Sequence, residues 1–207
     1  MWQKNLKNVQ FLENNGVILA ETDTVYGLLC NAESTIAIER LINIKKRTNP
    51  VLAVFVSDID MAKKYAVINN KQEVIFNAIF PGYFTLILEV NSHGLATLDN
   101  RIFGINKNNK KTIGIRIPKN QNCISLVKEF QKPLVATSAN ISKVQSASAK
   151  LEDVSYEIIS QVDSVNFEHN QTIGLNSTIV DISDENEMQI IRHGSGNINL
   201  IHNVLKD

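Results

Sequence analysis

The sequence is poor in cysteine and carries no net charge, and each deficit argues against a class of protein. Its two cysteines, Cys30 and Cys123, are far apart and have no metal-ligand spacing, which favours free thiols in a reducing compartment. The 21 basic and 21 acidic residues balance, so no overall field attracts the chain to nucleic acid or to a membrane.

Long apolar runs and targeting signals are missing as well. The N-terminal sequence MWQKNLKNVQFLENNG lacks the apolar core of a signal peptide, and no apolar run is long enough to cross a bilayer. We therefore expect a cytoplasmic protein without membrane contact. With 207 residues, 43% of them apolar, the chain fits a single domain spanning residues 1–207 around a substantial core.

The familiar catalytic motifs are also absent from the sequence. It has no zinc motif, P-loop, glycine-rich dinucleotide motif or nucleophile elbow, and its four histidines are scattered. The sequence thus gives little support to a metal-centred or histidine-centred mechanism.

What the sequence does contain is a series of polar clusters at the ends of predicted strands and helices. The most prominent follows Pro133, where the apolar run Leu134–Ala136 predicts a buried strand that breaks into Ser138, Asn140 and Ser146. Such hydroxyl and amide groups either bind an oxygen-rich ligand such as a nucleotide phosphate or form a capped turn.

Two further clusters allow similar alternatives. Thr22 and Thr24 follow the predicted strand Val17–Ala20 and fall on one side if strand geometry continues, or they form an exposed edge. Lys45 and Arg47 end a predicted amphipathic helix over Ile36–Arg47, where they either stabilise the helix dipole or bind a polyphosphate.

A third cluster lies on one face of a predicted strand over Thr112–Ile117. Alternation places Thr112, Gly114 and Arg116 on one face, where the arginine is either a solvated edge residue or an anion receptor. Ser177 in a polar turn and Arg192 at the end of the last predicted strand complete the set. Ligand crevices form at strand ends, so we expect one shared cationic, hydroxyl-rich pocket for phosphate binding and charge stabilisation.

The order of these motifs resembles the YrdC-type threonylcarbamoyl-AMP synthases over about Gly16 to Gly194. The resemblance rests on ETDTVYGL, IKKR, PGYFTLIL, TIGIRIP, PLVATSANIS, GLNSTIVD and IIRHG. It implies an α/β fold with a twisted mixed sheet and flanking helices around a large positively charged cavity. It also implies synthesis of threonylcarbamoyl-AMP and pyrophosphate from L-threonine, bicarbonate or CO2, and ATP with Mg²⁺, for the threonylcarbamoyladenosine modification of tRNA beside the anticodon.

The resemblance also implies roles for individual residues. Lys45, Arg47, Ser138 and Asn140 would hold and neutralise the ATP phosphates and form the catalytic centre, and no protein metal site is expected beyond magnesium on those phosphates. Further nucleotide contacts would come from Asn49, Thr112, Ser146 and Arg192. Contacts to L-threonine would come from Thr24, Arg116 and Ser177, with Arg116 pairing with the carboxylate. The product would pass to the tRNA threonylcarbamoyl transferase complex.

Some positions depart from the family pattern. Glu21 stands where a proline is usual, which we expect to add an acidic group near the pocket mouth, and His193 replaces the proline that usually follows the last arginine. The segment after Arg47 is short, which weakens the assignment of Asn49.

An RNA-binding module of the same type without synthase activity is the alternative function. It is suggested by six basic and no acidic residues in Arg101–Lys119, which would give at least a weak tRNA or RNA contact. Against it, Phe103 is the only aromatic platform in that stretch.

Overall fold

A computed structural model describes residues 2–46, 52–141, 148–166, 172–184 and 186–206. Three predicted site residues, Arg47, Asn49 and Ser146, lie outside the described residues. The described residues contain no helix long and apolar enough to cross a membrane.

The described residues form a mixed α/β fold built on one ten-stranded sheet, and the mixed sheet with flanking helices that the resemblance implies is confirmed. The strands, in chain order, are β1 (Val17–Glu21), β2 (Tyr26–Asn31), β3 (Ala53–Phe55), β4 (Phe84–Glu89), β5 (Gly104–Ile105), β6 (Lys111–Arg116), β7 (Leu134–Ser138), β8 (Ser164–Asn166), β9 (Thr178–Asp184) and β10 (Glu187–Arg192).

The strand order is β10-β9-β4-β6-β3-β7-β2-β1-β8, and β5 forms an antiparallel pair with β6 outside that path. Three pairs are parallel, β1 with β8, β3 with β6 and β4 with β9, and the other pairs are antiparallel. Strands distant in sequence therefore become neighbours, and this brings the separate polar clusters together.

The helices flank the sheet. They are α1 (Trp2–Glu13), α2 (Thr35–Lys45), α3 (Ile59–Tyr65), α4 (Asn70–Ile79), α5 (Ser92–Thr97), α6 (Gln121–Phe130), α7 (Tyr156–Ile159) and α8 (Asn199–Val204), with 3₁₀ turns at Asn100–Ile102 and Leu151–Asp153.

Helix α2 shows how the local sequence sets the geometry of a site element. Ser34 caps its first turn by accepting a hydrogen bond from the Ala37 amide, and Ile38 and Leu41 are fully buried against the sheet. The helix ends at Lys45, and the cap residue Lys46 adopts a left-handed conformation with φ of 50°. Lys45 therefore occupies the last helical turn, on the buried side.

Candidate active site

A cavity of about 540 Å³ opens on one face of the sheet. It brings together six of the predicted site residues, which come from segments far apart in the sequence. Those that line it are Thr24, Thr112, Arg116, Ser138, Ser177 and Arg192. The described structure therefore places these six residues in one cavity.

Strand β6 forms part of the cavity wall with the face that alternation predicts. Thr112, Gly114 and Arg116 line the cavity, whereas Ile113 and Ile115 are buried in the core on the opposite face. A Cβ on Gly114 would lie 3.3 Å from the Thr85 methyl group and 3.4 Å from the Ala53 Cβ. Glycine thus keeps this part of the wall open.

Arg116 is held in place by a buried ion pair. Its Nη2 donates to Asp23 Oδ1 at 2.5 Å and its Nη1 donates to Thr24 Oγ1 at 3.0 Å, with the two charged side chains 7% and 6% exposed. The guanidinium also lies 5.5 Å from the centre of the Phe55 ring. A fixed, almost fully desolvated guanidinium facing a cavity is well suited to bind a carboxylate.

The segment after β1 leaves strand geometry and forms a turn organised by Thr22. The Thr22 hydroxyl donates to the Val25 carbonyl at 2.7 Å, accepts from the Thr24 amide at 3.2 Å and lies 3.1 Å from the Thr24 hydroxyl. Both threonines are buried, and both line the cavity. The predicted exposed-edge alternative is therefore wrong.

Ser177 and Arg192 line the cavity and contact each other. The Ser177 hydroxyl lies 2.9 Å from that of Thr85, and the Arg192 guanidinium donates to the Ser177 carbonyl at 2.9 and 3.1 Å and to its hydroxyl at 3.2 Å. The turn after Arg192 is tied to the same segment, since the Gly194 and Gly196 amides both donate to the Thr178 hydroxyl.

The two arginines of the cavity interact electrostatically. Partial burial and, secondarily, the positive charge of Arg116 lower the pKa of Arg192 from its ordinary value. The two guanidinium groups therefore repel each other, although Asp23 compensates the charge of Arg116.

Lys45 lies beside the cavity rather than on its lining. It is 2% exposed, and its ammonium donates to the backbone carbonyls of Ser138 and Asn140, the latter at 2.9 Å. The Ser138 hydroxyl in turn donates to the Asn140 side-chain oxygen at 2.5 Å. Lys45, Ser138 and Asn140 thus form one cluster at the end of β7, as their predicted joint role requires.

The two adjacent lysines separate at the end of α2. Lys46 points outward and pairs with Glu157 at 2.6 Å, both side chains being well exposed. Lys45 instead reaches across to β7. The alternative that Lys45 merely stabilises the helix dipole is therefore insufficient, because its ammonium is bound to β7.

Asp23, Thr85 and Asp181 lie at the site although the sequence did not predict them. Asp23 lies between Thr22 and Thr24 in the sequence, and its negative charge was the available signal that it could form an ion pair with Arg116. Thr85 and Asp181 line the cavity because of the strand order. Strand β4, which carries Thr85, pairs with β6, and β9, which carries Asp181, pairs with β4.

Glu21 does not stand near the cavity mouth as expected. It is 4% exposed at the end of β1 and is not among the residues that line the cavity. Burial and, secondarily, the charge of Glu21 raise the pKa of Tyr26, which pairs with it across β1 and β2. The physical reason for the difference is alternation along β1. Ala20 pairs with the cavity residue Gly27, so the next residue, Glu21, is on the opposite face of the sheet.

The basic stretch Arg101–Lys119 does not form one cationic surface. Among its residues Arg101 pairs with Asp99, Lys107 with Asp184 and Glu187, and Lys110 with Glu89, while Arg116 pairs with Asp23 inside the fold. These ion pairs neutralise most of the stretch. They remove the main support for RNA binding through it.

Comparison with known proteins places the chain in a family. The family model Sua5/YciO/YrdC, described as telomere recombination, matches residues 10–194. The chain belongs to this family.

Individual relatives agree with this placement. The threonylcarbamoyl-AMP synthase of Mus musculus is 28% identical over 93% of this chain and 68% of its own length. The structure is similar to that of P. abyssi Sua5 complexed with L-threonine, with a TM-score of 0.85 and 22% identity over 99% of this chain and 57% of the Sua5 chain. It is also similar to E. coli YciO, with a TM-score of 0.84 and 22% identity over 97% and 94% of the two chains.

Proposed function

We propose that the protein is an L-threonylcarbamoyladenylate synthase that makes threonylcarbamoyl-AMP and pyrophosphate from L-threonine, bicarbonate or CO2, and ATP. The observation that carries this proposal is the cavity itself. It joins a buried guanidinium suited to a carboxylate with a hydroxyl-rich strand end beside a buried lysine, within a family that includes proteins named as this synthase.

The threonine site would lie at Thr24, Arg116 and Ser177. Arg116 would pair with the threonine carboxylate, and the Thr24 and Ser177 hydroxyls would complete its hydrogen bonds. Asp23 already compensates the charge of Arg116, so the guanidinium is held in place before threonine enters. Such preorganisation lowers the cost of binding.

The nucleotide site would lie toward Lys45, Ser138 and Asn140, with Thr112 and Arg192 as further contacts. Arg47, Asn49 and Ser146 remain proposed contacts from outside the described residues. The buried ammonium of Lys45 and the guanidinium of Arg192 would offset the phosphate charge. This cationic cluster suits charge stabilisation at a leaving pyrophosphate.

The chemistry that follows is adenylate formation by a carbamate. The threonine amine adds to CO2 with loss of a proton, or condenses with bicarbonate with loss of water, to give N-carboxythreonine. A carbamate oxygen of this intermediate then attacks the α-phosphorus of ATP as the bond to pyrophosphate breaks. The chain's own residues would bind, align and neutralise the reactants, because proximity and charge stabilisation can supply most of the rate in phosphoryl and nucleotidyl transfer.

Magnesium would accompany the ATP phosphates. Among the described residues no group of three or more histidine, cysteine or acidic side chains could form a separate metal site. The Ser138 hydroxyl and Asn140 amide offer the hard oxygen donors that Mg²⁺ accepts beside phosphate ligands. When bound, the ion would neutralise charge on the departing pyrophosphate.

The product is a reactive mixed anhydride and must be consumed by an acyl transfer. We place the protein in the cytoplasm, ahead of the tRNA threonylcarbamoyl transferase complex that modifies the adenosine beside the anticodon.

Pyrophosphate release tests this function. Protein with ATP and magnesium is assayed with L-threonine and bicarbonate each added or omitted. We expect rapid release only when both are present. No release under any combination, from protein shown by circular dichroism to be folded, would contradict the proposal.

A further inference from the structure

Asp181 is the one acidic residue among those that line the described cavity, and the binding roles proposed above do not use it. It lies on β9, partly buried. Its Oδ1 accepts a hydrogen bond from the Ser183 amide at 2.8 Å, and no donor among the described residues binds Oδ2. A carboxylate oxygen facing a cavity can only accept hydrogen bonds, so it selects a ligand group that donates.

The sheet register places Asp181 away from the phosphate cluster. Asp181 pairs with Ile87, Ile87 with Gly114, Gly114 with Ala53, and Ala53 with Ala136 on β7. Four strand spacings separate Asp181 from the strand that carries Ser138, which is about 19 Å along the sheet. That separation is far beyond the roughly 2 Å of a magnesium–oxygen bond, so Asp181 cannot share a metal with phosphates held at Ser138.

The register also separates Asp181 from the threonine side of the cavity. Asp181 and Gly114 both pair with Ile87, so they lie at the same height in the sheet. Arg116 lies two residues away from Gly114 on one side, and Thr112 lies two residues away on the other side. On β9, Asp181 lies four residues beyond Ser177, toward the side of Thr112. Asp181 is thus displaced along the sheet from Arg116 and Ser177, the proposed contacts to L-threonine. The displacement is toward Thr112, a proposed contact to the nucleotide.

Aliphatic side chains line the cavity wall on the strands beside Asp181. Ile87 and Ile179 line the same wall on β4 and β9, and Ile105 and Ile191 line the rim although 69% and 49% of their surface is exposed. Aliphatic side chains beside one charged acceptor match a flat heteroaromatic base that carries an amino group. They do not match a phosphate, which the carboxylate repels.

We propose that Asp181 determines base specificity by accepting a hydrogen bond from the exocyclic amino group of adenine, with the ring among Ile87, Ile105, Ile179 and Ile191. This inference rests on ATP being the nucleotide substrate. It extends the proposed function, because it states which residue rejects other nucleoside triphosphates. A carbonyl at the same position of the base would face the carboxylate without a proton to share.

Equilibrium binding of magnesium-ATP and magnesium-ITP by calorimetry tests the assignment. ITP differs from ATP in carrying a carbonyl where adenine carries its amino group. The wild-type protein should bind ATP about 10- to 100-fold more tightly than ITP, the ratio expected for one hydrogen bond to a charged group. Asp181→Asn should reduce this ratio to within about threefold, because an amide can present either its oxygen or its amino group.

Two further variants complete the experiment. Asp60→Asn, at an exposed position on α3, makes the same substitution away from the cavity and should leave the ratio unchanged. Asp181→Ala should also lose most of the discrimination, by weakening ATP rather than by improving ITP. Thermal melting of each variant verifies the fold.

The outcomes separate this inference from the proposed function. Tight ATP binding with an unchanged ATP-to-ITP ratio in Asp181→Asn would overturn the adenine contact and leave the synthase function standing. A uniform loss for both nucleotides in Asp181→Asn would assign Asp181 to the ribose and equally overturn it. Absence of ATP binding by the wild-type protein would overturn both.

Discussion

The buried pair of Arg116 and Asp23 allows binding and stability to be separated by mutation. Arg116→Met removes the guanidinium and leaves the Asp23 carboxylate buried without its partner. Breaking a buried pair on one side costs about 3–5 kcal/mol of unfolding free energy. For a chain of this size each kcal/mol shifts the melting temperature by about 2–4 °C, so we expect a fall of about 6–20 °C.

The double variant Asp23→Asn/Arg116→Met removes both charges and should recover at least half of that loss. The threonine requirement should not recover. Loss of charge-assisted hydrogen bonds to the carboxylate is worth about 2–4 kcal/mol, a rise of about 30- to 1,000-fold in the threonine KM. Both the single and the double variant should show this rise in the threonine KM, with the ATP KM changed by less than about threefold.

The assay is pyrophosphate release titrated with threonine and with ATP, alongside thermal melting. A double variant that is stable and has an ordinary threonine KM would refute the role of Arg116. An effect confined to the ATP KM would refute it as well. Asp23→Asn alone is the informative companion, since it keeps the guanidinium and tests whether its orientation matters.

Three other variants test separate parts of the site and the fold. Lys45→Met should reduce turnover at least about 100-fold and weaken ATP binding, because a buried cation is lost beside Ser138; an unchanged ATP KM would contradict this. Ser177→Ala should raise the threonine KM about five- to tenfold with the ATP KM unchanged, the effect of one hydrogen bond, and equal effects on both would argue against it. Hydrogen bonds from Arg101 lower the pKa of Asp99 to about 2, so their pairing stabilises the fold above about pH 4 and is lost as the pH falls toward 2. Asp99→Asn should therefore cost about 1–2 kcal/mol at pH 7 in denaturant titrations, with the difference closing between pH 4 and 2, and a pH-independent difference would contradict the charge effect.

The cavity face of β6 could be predicted from sequence because alternation is a local property. Thr112, Gly114 and Arg116 share one face for geometric reasons that need no tertiary information, and the structure has them there. The cap of α3 at Asp58 is likewise a local signal that the structure shows.

Strand β2 could not be predicted in the same way. Every residue of Tyr26–Asn31 is buried, since the strand lies between β1 and β7 and is covered on both faces. Burial on both faces removes the alternation that identifies a strand, and the segment instead reads as a short apolar passage after a glycine.

The partners of the site residues were beyond sequence patterns because they depend on strand order. Arg116 pairs with a carboxylate 93 residues earlier, and Lys45 donates to a carbonyl 95 residues later. Neither contact has a local signature. Both follow from the order β6-β3-β7-β2, which depends on how the whole sheet packs.

The most direct test of the central claim is to identify the product. The protein is incubated briefly with ATP, magnesium, L-threonine and ¹⁴C-bicarbonate. The adenylate fraction is then separated, and its mass is measured by mass spectrometry. We predict a labelled adenylate whose mass equals AMP plus a threonylcarbamoyl group, formed only with threonine present. Pyrophosphate release that yields AMP or an adenylate without label or threonine would contradict the account.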